Sequence, residues 1–364
     1  MPRDARAPSG PMPGVLRPLA PLAERVYARA IARRNARFDV RQRASAFSPG
    51  GLTVTIDRPV ISIGNLSVGG TGKTPVVQLV CRWLRDAGRN PAIAIRGYGS
   101  RDGLSDEAEL HREALPGIAM AIGPNRVHEL IRLFGSEEGD DVDVVVLDDG
   151  FQHRRLARQL DVVLIDATQD VFAQRLLPAG WLREPVASLA RAHAVILTHA
   201  DRANASDLTR TEAELRRRFP HLVLARGSHE WTGLHVTSND GDHAEQLHWM
   251  QGKNYALACA IGKPDAFIEQ ATKAFGPPAQ TLALRDHDPY APATVERLRR
   301  MADGCSALLV TQKDWTKLAH VPGDSWPCPV TRPILEMRLT AGVDLVRDAV
   351  LAASLWQDSA AEEA

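Results

Sequence analysis

At 364 residues the chain is long enough for two domains, each with its own core. Lys plus Arg and Asp plus Glu number 44 each, so no global charge argues for a nucleic-acid partner. Cys81, Cys259, Cys305 and Cys328 fit neither zinc spacing nor a disulfide framework and are expected as reduced, mostly buried thiols of a cytosolic compartment. No apolar run approaches the ~20 residues that cross a bilayer, and there is no signal-peptide core.

Residues 1–18, rich in Pro, Ala and Arg, are expected to be poorly ordered. From Leu19 to Arg37 a helix is predicted, because Leu19, Leu22, Ala23, Val26, Tyr27, Ala30 and Ile31 recur at helical spacing while Arg25, Arg29 and Arg33 take other faces. Ten arginines precede Phe47 against only Asp4, Glu24 and Asp39, an imbalance hidden by the neutral total. Two readings stand for this basic amphipathic helix: an interfacial membrane anchor, or a helix packed on the protein's own core with a solvated Arg face. An Arg-rich presequence is weakened by the scarcity of Ser.

The organising stretch runs from Pro59 to Thr74. Val60-Ile61-Ser62-Ile63 reads as a buried strand, and the loop Ser67-Val68-Gly69-Gly70-Thr71-Gly72 leads into Lys73-Thr74 with Pro75 in the first helical turn. This is the pattern of a phosphate-binding loop, although Ser67 stands where the usual spacing has Gly. Glycine lets backbone N–H groups turn onto phosphate oxygens, Lys73 can reach the β- and γ-phosphates, and Thr74 can hold Mg²⁺. The helix behind it, predicted over Thr74 to Ala87, adds its positive end.

Pro91 to Ile95 is a second strand, and the loop after it carries Arg96 and Arg101, each a phosphate ligand or a surface cation. Ser105 is the expected cap of a helix opening at Asp106-Glu107, where acidic residues are ordinary dipole partners. Val144 to Leu147 is a continuous apolar run, as a central parallel strand requires, and Asp148-Asp149 ends it. A carboxylate at that place is where a phosphate-loop protein holds Mg²⁺. Gln152 and His153 follow closely enough to serve the same site. Further strands are predicted at Val162 to Ile165 and Ala194 to Thr198, giving a doubly wound α/β domain.

Residues 228–252 are turn-rich and read as a connector to a second lobe. That lobe has strands at Tyr255 to Ile261, Ala307 to Val310 and Leu335 to Leu339, with helices over Asp265 to Phe275 and Val343 to Leu355. His287 lies between two carboxylates in a polar loop, an arrangement that suits a catalytic partner or a solvated turn. Thr311-Gln312-Lys313-Asp314 is a near miss of the guanine-reading Asn/Thr-Lys-x-Asp pattern, with Lys one place late. The expected organisation is an N-terminal arm over 1–45, a P-loop NTPase-type core of mostly parallel sheet with helices on both faces over 46–228, and a connector with a smaller α/β lobe over 229–364.

Four stretches together resemble the tetraacyldisaccharide 4′-kinase family of lipid A biosynthesis. They are Gly64 to Pro75, Arg96-Gly97-Tyr98-Gly99, Asp148-Asp149-Gly150-Phe151-Gln152-His153 continuing to Leu156, and Leu176-Leu177-Pro178-Ala179-Gly180 with Leu182-Arg183-Glu184-Pro185. The family carries a small hydroxyl residue at the Ser67 position. The resemblance implies ATP and Mg²⁺ as cofactors, and transfer of the γ-phosphate to the 4′-hydroxyl of a lipid-linked glucosamine disaccharide 1-phosphate at the cytoplasmic face of the inner membrane. It further implies Asp106 as base and His287 as its support, although Ser105 and Ala108 replace the family's flanking Gly and Pro. Asp288 and Gly262-Lys263-Pro264 also depart from the usual pattern. Asn65, Arg96, Gln152, His153, Arg183 and Glu184 are then expected to contact substrate or support the site. The membrane surface is an expected partner, with no nucleic acid and no obligate protein partner. The alternative is a nucleotide-switch ATPase or GTPase acting on a protein or metallocentre.

Overall fold

A computed structural model describes residues 10–12, 14–43, 52–97, 106–262, 264–286 and 288–356. Contacts divide the chain into two units, one of Met1–Tyr98, His111–His229 and Met337–Ala364, and a smaller one of Gly99–Leu110 and Glu230–Glu336. The chain thus leaves the first unit after His229 and re-enters it at Met337. Its last segment, expected with the smaller lobe, belongs to the larger unit.

A short 3-10 turn at Gly14–Leu19 precedes α1 (Ala20–Arg43), which corrects the expectation of disorder up to residue 18. The fixed φ of Pro18 suits the last position before a helix; the expectation for residues 1–9 lies outside the described residues. α1 buries Ala20 and Ile31, donates a hydrogen bond from Tyr27 Oη to the Arg183 carbonyl at 2.9 Å, and leaves Leu22 and Val26 exposed, as is Leu19 just before it.

The larger unit is a parallel sheet built from β1 (Val60–Asn65), β2 (Pro91–Ile95), β3 (Ala119–Ile122), β4 (Val144–Asp148), β5 (Leu160–Asp166), β6 (Ala194–Thr198) and the first half of β7 (Val223–Ser238). Its order is β3-β2-β4-β1-β5-β6-β7, so β1 is central, with β4 on one side and β5 on the other. The crossovers carry α2 (Lys73–Asp86), the end of α3 (Asp106–Ala114) from His111 on, α4 (Arg126–Phe134) and α5 (Ala205–Arg218). β1, β4 and β5 are buried along their whole length, which is why they read as unbroken apolar runs rather than alternating ones. Each Val or Leu so buried contributes about 1.5–3 kcal/mol.

Residues 228–252 are not the irregular connector expected. β7 runs on to Ser238 and turns through Asn239-Asp240 into antiparallel β8 (Gly241–Glu245). Leu234 and Val236 are buried at period two, and Gly241 takes φ +102°, so the turn residues mark a hairpin rather than a linker. The smaller unit continues with β9 (Tyr255–Cys259), α6 (Pro264–Phe275), β10 (Gln280–Ala283), α7 (Pro292–Ala302), β11 (Ala307–Leu309) and α8 (Gln312–Leu318). β12 (Val330–Ala341) pairs with β11, and β10, β9, β11 and β12 are adjacent and parallel. α9 (Val343–Ser354) then packs on α2 and β1, with Val346 and Val350 fully buried and Arg89 Nη2 donating to the Ser354 carbonyl at 2.7 Å. β3, α4, β10 and α7 have no counterpart among the expected elements. The four cysteines are free thiols, all but Cys305 buried.

Candidate active site

Ligands of open parallel sheets lie outside the carboxyl ends of the strands. At that end of β1 the chain turns through Leu66–Gly72 into α2. Gly69 and Gly72 take φ +123° and +79°, and no atom lies within 4 Å of where a Cβ would stand on Gly69 or Gly70. The loop therefore presents bare backbone at the N-terminus of α2, which is what a phosphate cradle needs. Asn65, fully buried, holds the tip by donating from Nδ2 to Thr71 Oγ1 at 2.9 Å. The Val68 N–H donates to the Trp181 carbonyl at 2.8 Å and the Arg183 N–H to the Leu66 carbonyl at 2.7 Å. Ser67 sits within this strand-like pairing opposite Leu182, without a left-handed φ, so no glycine is required there.

β4 delivers the acidic pair. Gly150 and Phe151 lock it onto β1: a Cβ on Gly150 would lie 2.6 Å from Ser62 Oγ, and one on Gly64 would lie 2.6 Å from Phe151 Cβ. Asp149 adopts φ +53°, a conformation that non-glycine residues hold only where their surroundings over-determine it. Its carboxylate accepts from Arg183 Nη1 at 2.6 Å and lies 3.6 Å from Lys73 Nζ, while Oδ1 is buried without a hydrogen-bond partner. Burial opposes its charge, but Lys73 and Arg183 outweigh it and hold the carboxyl below the ordinary range, so Asp149 stays anionic. Asp148 is differently engaged: its Oδ2 is 3.1 Å from His111 Nε2, and its carbonyl accepts from Arg126 Nη2 at 2.9 Å. The Asp149 Oδ1, which takes no hydrogen bond and has Lys73 at 3.6 Å, is with the Thr74 hydroxyl in the first turn of α2 the donor chemistry a hard divalent cation takes.

The remaining expected residues separate into distinct roles. Gln152 donates from Nε2 to the Asn65 carbonyl at 2.9 Å and accepts from Arg183 at 3.4 Å, tying the acidic turn to the phosphate loop. His153 is half-buried, and burial together with Arg126, Arg158, Arg155 and Arg96 lowers its pKa to about 4, leaving a neutral imidazole. Arg96 is exposed directly after β2. Glu184 makes its contacts elsewhere. It is fully buried and accepts from Arg34 at 2.7 Å, Asn35 at 3.0 Å and Arg191 at 3.0 Å, anchoring α1 to the core. α3 opens at Asp106, but the side chain of Asp106 and all of His287 lie outside what the structure describes.

Thr311 and Asp314, the ends of the near-miss guanine pattern, form a capping box at α8, and Asp314 also accepts from the Ala260 N–H at 3.0 Å. They serve the smaller unit's own fold. Residues without a sequence expectation are His111 and Arg126, which grip Asp148, His199 directly after β6, and His229 within β7. Single His and Arg residues carry no pattern of their own. A strand-end rule applied to β6 would have found Thr198-His199-Ala200-Asp201, which repeats the guanine-reading spacing with His for Lys. Among the described residues no cluster of three or more His, Cys, Asp or Glu could hold a metal ion unaided.

A central parallel strand ending in a bare glycine loop and Lys-Thr, with an anionic carboxylate after the neighbouring strand, defines a P-loop NTPase-type α/β protein. The sequence profile of the tetraacyldisaccharide-1-P 4'-kinase family matches residues 15–346. A tetraacyldisaccharide 4'-kinase of Anaeromyxobacter sp. (strain K) is 36% identical over 298 residues, covering 76% of this chain and 77% of the relative. One from Geobacter metallireducens is 34% identical over 303 residues, covering 78% and 85%. Among solved structures, an "apo" form LpxK from Aquifex aeolicus in complex with ATP aligns at TM-score 0.71 and 24% identity, over 93% of this chain and 99% of that one. The chain belongs to the tetraacyldisaccharide 4′-kinase family, whose members are lipid kinases.

Proposed function

We propose that this protein transfers the γ-phosphate of ATP to the 4′-hydroxyl of a tetraacylated glucosamine disaccharide 1-phosphate at the cytoplasmic face of the inner membrane. The observation that carries the reading at the site is Asp149, held anionic between Lys73 and Arg183 beside a phosphate loop of bare backbone. Family membership supports the acceptor, and the ATP held by the Aquifex relative supports the donor.

Phosphoryl transfer asks a protein for positioning and charge neutralisation more than for covalent help. The N–H groups of Val68 to Thr74 receive the phosphate oxygens, and Lys73 places its ammonium on the β- and γ-phosphates. Thr74 and Asp149 hold Mg²⁺, which, when bound, neutralises the charge that develops on the phosphate oxygens. Arg183 keeps the Asp149 carboxylate from turning away. Asp106 takes the proton of the 4′-hydroxyl, supported by His287, as its oxygen bonds to phosphorus and the bond to ADP breaks. The N-terminal segment meets the bilayer surface through Leu16 and Leu19 of the 3-10 turn and Leu22 and Val26 of α1, all exposed, with Arg25, Arg29 and Arg33 at the headgroups. No helix among the described residues is long and apolar enough to span a membrane.

The deciding experiment follows labelled γ-phosphate from ATP to the tetraacylated disaccharide 1-phosphate with wild type, Lys73→Ala and Asp106→Ala. Product from wild type, lost in both variants while Asp106→Ala still binds ATP, is the expected result. ATP hydrolysis that depends on Lys73 with no lipid product would replace this reading with a nucleotide-switch ATPase.

A further inference from the structure

One buried polar side chain beside the acidic turn has no part in the phosphoryl chemistry. His111, with which the larger unit's share of α3 begins, is fully buried, and so is Leu115 one turn on. A buried helix face ordinarily takes apolar residues, because an imidazole enclosed there must satisfy its polar atoms. Among the described residues the partner of this ring is Asp148, whose Oδ2 lies 3.1 Å from Nε2. Nδ1 is buried without a hydrogen-bond partner, so Nε2 is where a ring proton finds an acceptor, and its N–H donates to the Asp148 carboxylate.

Asp148 is the last residue of β4, in register with Ile63 of β1. Its side chain is held by His111 and its carbonyl by Arg126 Nη2 at 2.9 Å. That carbonyl is half of the peptide joining Asp148 to Asp149, and the next rotation along the chain is the Asp149 φ of +53°. A non-glycine residue keeps a left-handed φ only where its surroundings over-determine it. After this rotation the holding groups are Arg183 Nη1, 2.6 Å from Asp149 Oδ2, and the Gly150 N–H, which donates to the Ile63 carbonyl at 3.0 Å. Before it they are His111 and Arg126, each buried.

We propose that His111 is a positioning residue for the cation site: its Nε2–H fixes the Asp148 carboxylate, and the end of β4 so held keeps Asp149 in the conformation that offers its carboxylate, with the Thr74 hydroxyl, to Mg²⁺. This rests on Thr74 and Asp149 being the cation ligands. Groups that hold a ligating carboxylate in place by hydrogen bonds change metal affinity about 10- to 100-fold when they are lost. His111 acts one residue away from the ligand, so the lower end of that range is expected. Leucine would fill the same buried space without a donor and leave the Asp148 side chain unheld on that side.

The test measures equilibrium binding of the Mn²⁺ complex of ATP and of ATP in EDTA to the full chain and to His111→Leu, His111→Asn, His111→Gln and Asp149→Asn. The ratio of the two affinities reports the protein's own hold on the cation. His111→Leu and His111→Asn, whose amide ends one bond short of Nε2, are expected to lower that ratio about tenfold and to leave metal-free ATP binding unchanged. His111→Gln, whose amide N–H reaches the Nε2 position, should keep most of it. An unchanged ratio in the Leu and Asn variants would overturn the proposal. So would an equal loss of both complexes that Gln does not restore, since His111 would then serve packing alone. Should His111→Leu not fold, the comparison of Gln with Asn decides in the same way. If Asp149→Asn keeps the wild-type ratio, the cation-site reading fails first and this proposal with it; if only the His111 variants keep it, the proposal alone falls.

Discussion

His153 and His229 are both held neutral by burial, and each titrates near pH 4 in the folded protein against 6.5 for a free imidazole. As pH falls below 6.5 the unfolded chain takes up protons that the native chain refuses, so stability declines through the window down to about 4 and is fully retained above it. Urea midpoints measured between about pH 7 and 4.5 should fall, and His153→Gln should flatten the slope. A flat wild-type profile would contradict the burial argument. Glu184 gives a second prediction at this scale. Two partly exposed arginines and Asn35 share its fully buried carboxylate, so Glu184→Ala removes their common acceptor and is expected to cost about 1–3 kcal/mol in denaturant titration. Turnover per folded molecule should change little. Lost activity at unchanged stability would instead return Glu184 to the substrate site.

Among the elements, α1 packs on the core as one of its two sequence readings expected, and its other face leaves the interfacial reading to be tested. Tyr27, Ile31 and Arg34 pack it on the larger unit, while Leu16, Leu19, Leu22 and Val26 form an exposed stripe at helical spacing. Replacing Leu19, Leu22 and Val26 together by Gln removes no buried contact and should move stability by no more than about 0.5 kcal/mol per site. Co-sedimentation with vesicles containing anionic lipid is expected to drop several-fold. Undiminished sedimentation would sink the interfacial role. The segment Trp181–Arg183 shows a comparable division of labour: its backbone pairs with Leu66–Val68, the Arg183 side chain turns to Asp149, and the next residue turns to α1.

For the molecule as a whole, the return of the chain after Met337 makes the larger unit depend on the C-terminus. A chain ended at Ala341 loses the fully buried Val346 and Val350 and the carbonyl that receives Arg89. The thermal midpoint is expected to fall by roughly 10 °C or more, read by calorimetry. An unchanged midpoint would mean that α9 adds nothing to the unit it packs against.

Much of this protein was legible in its sequence because the decisive patterns are local. Gly69 to Thr74 has the glycines and spacing that give a bare backbone loop at a helix N-terminus, β1, β4 and β5 announce burial on both faces by unbroken apolar runs, and Asp148-Asp149 stands at a strand end. What only the tertiary structure decided is which groups meet across the sheet. Asp148 has its carboxylate beside His111 and its carbonyl on Arg126, both distant in sequence, whereas Asp149 Oδ1 faces Lys73 without a hydrogen bond. Glu184 serves α1 and Arg183 the site, although they are adjacent in the chain. His229 packs on Gly72 and His199 on His229 because β6 pairs with the first part of β7. Local spacing reports how a segment can fold, whereas a side chain's partner is set by strand order and register, which no single segment contains.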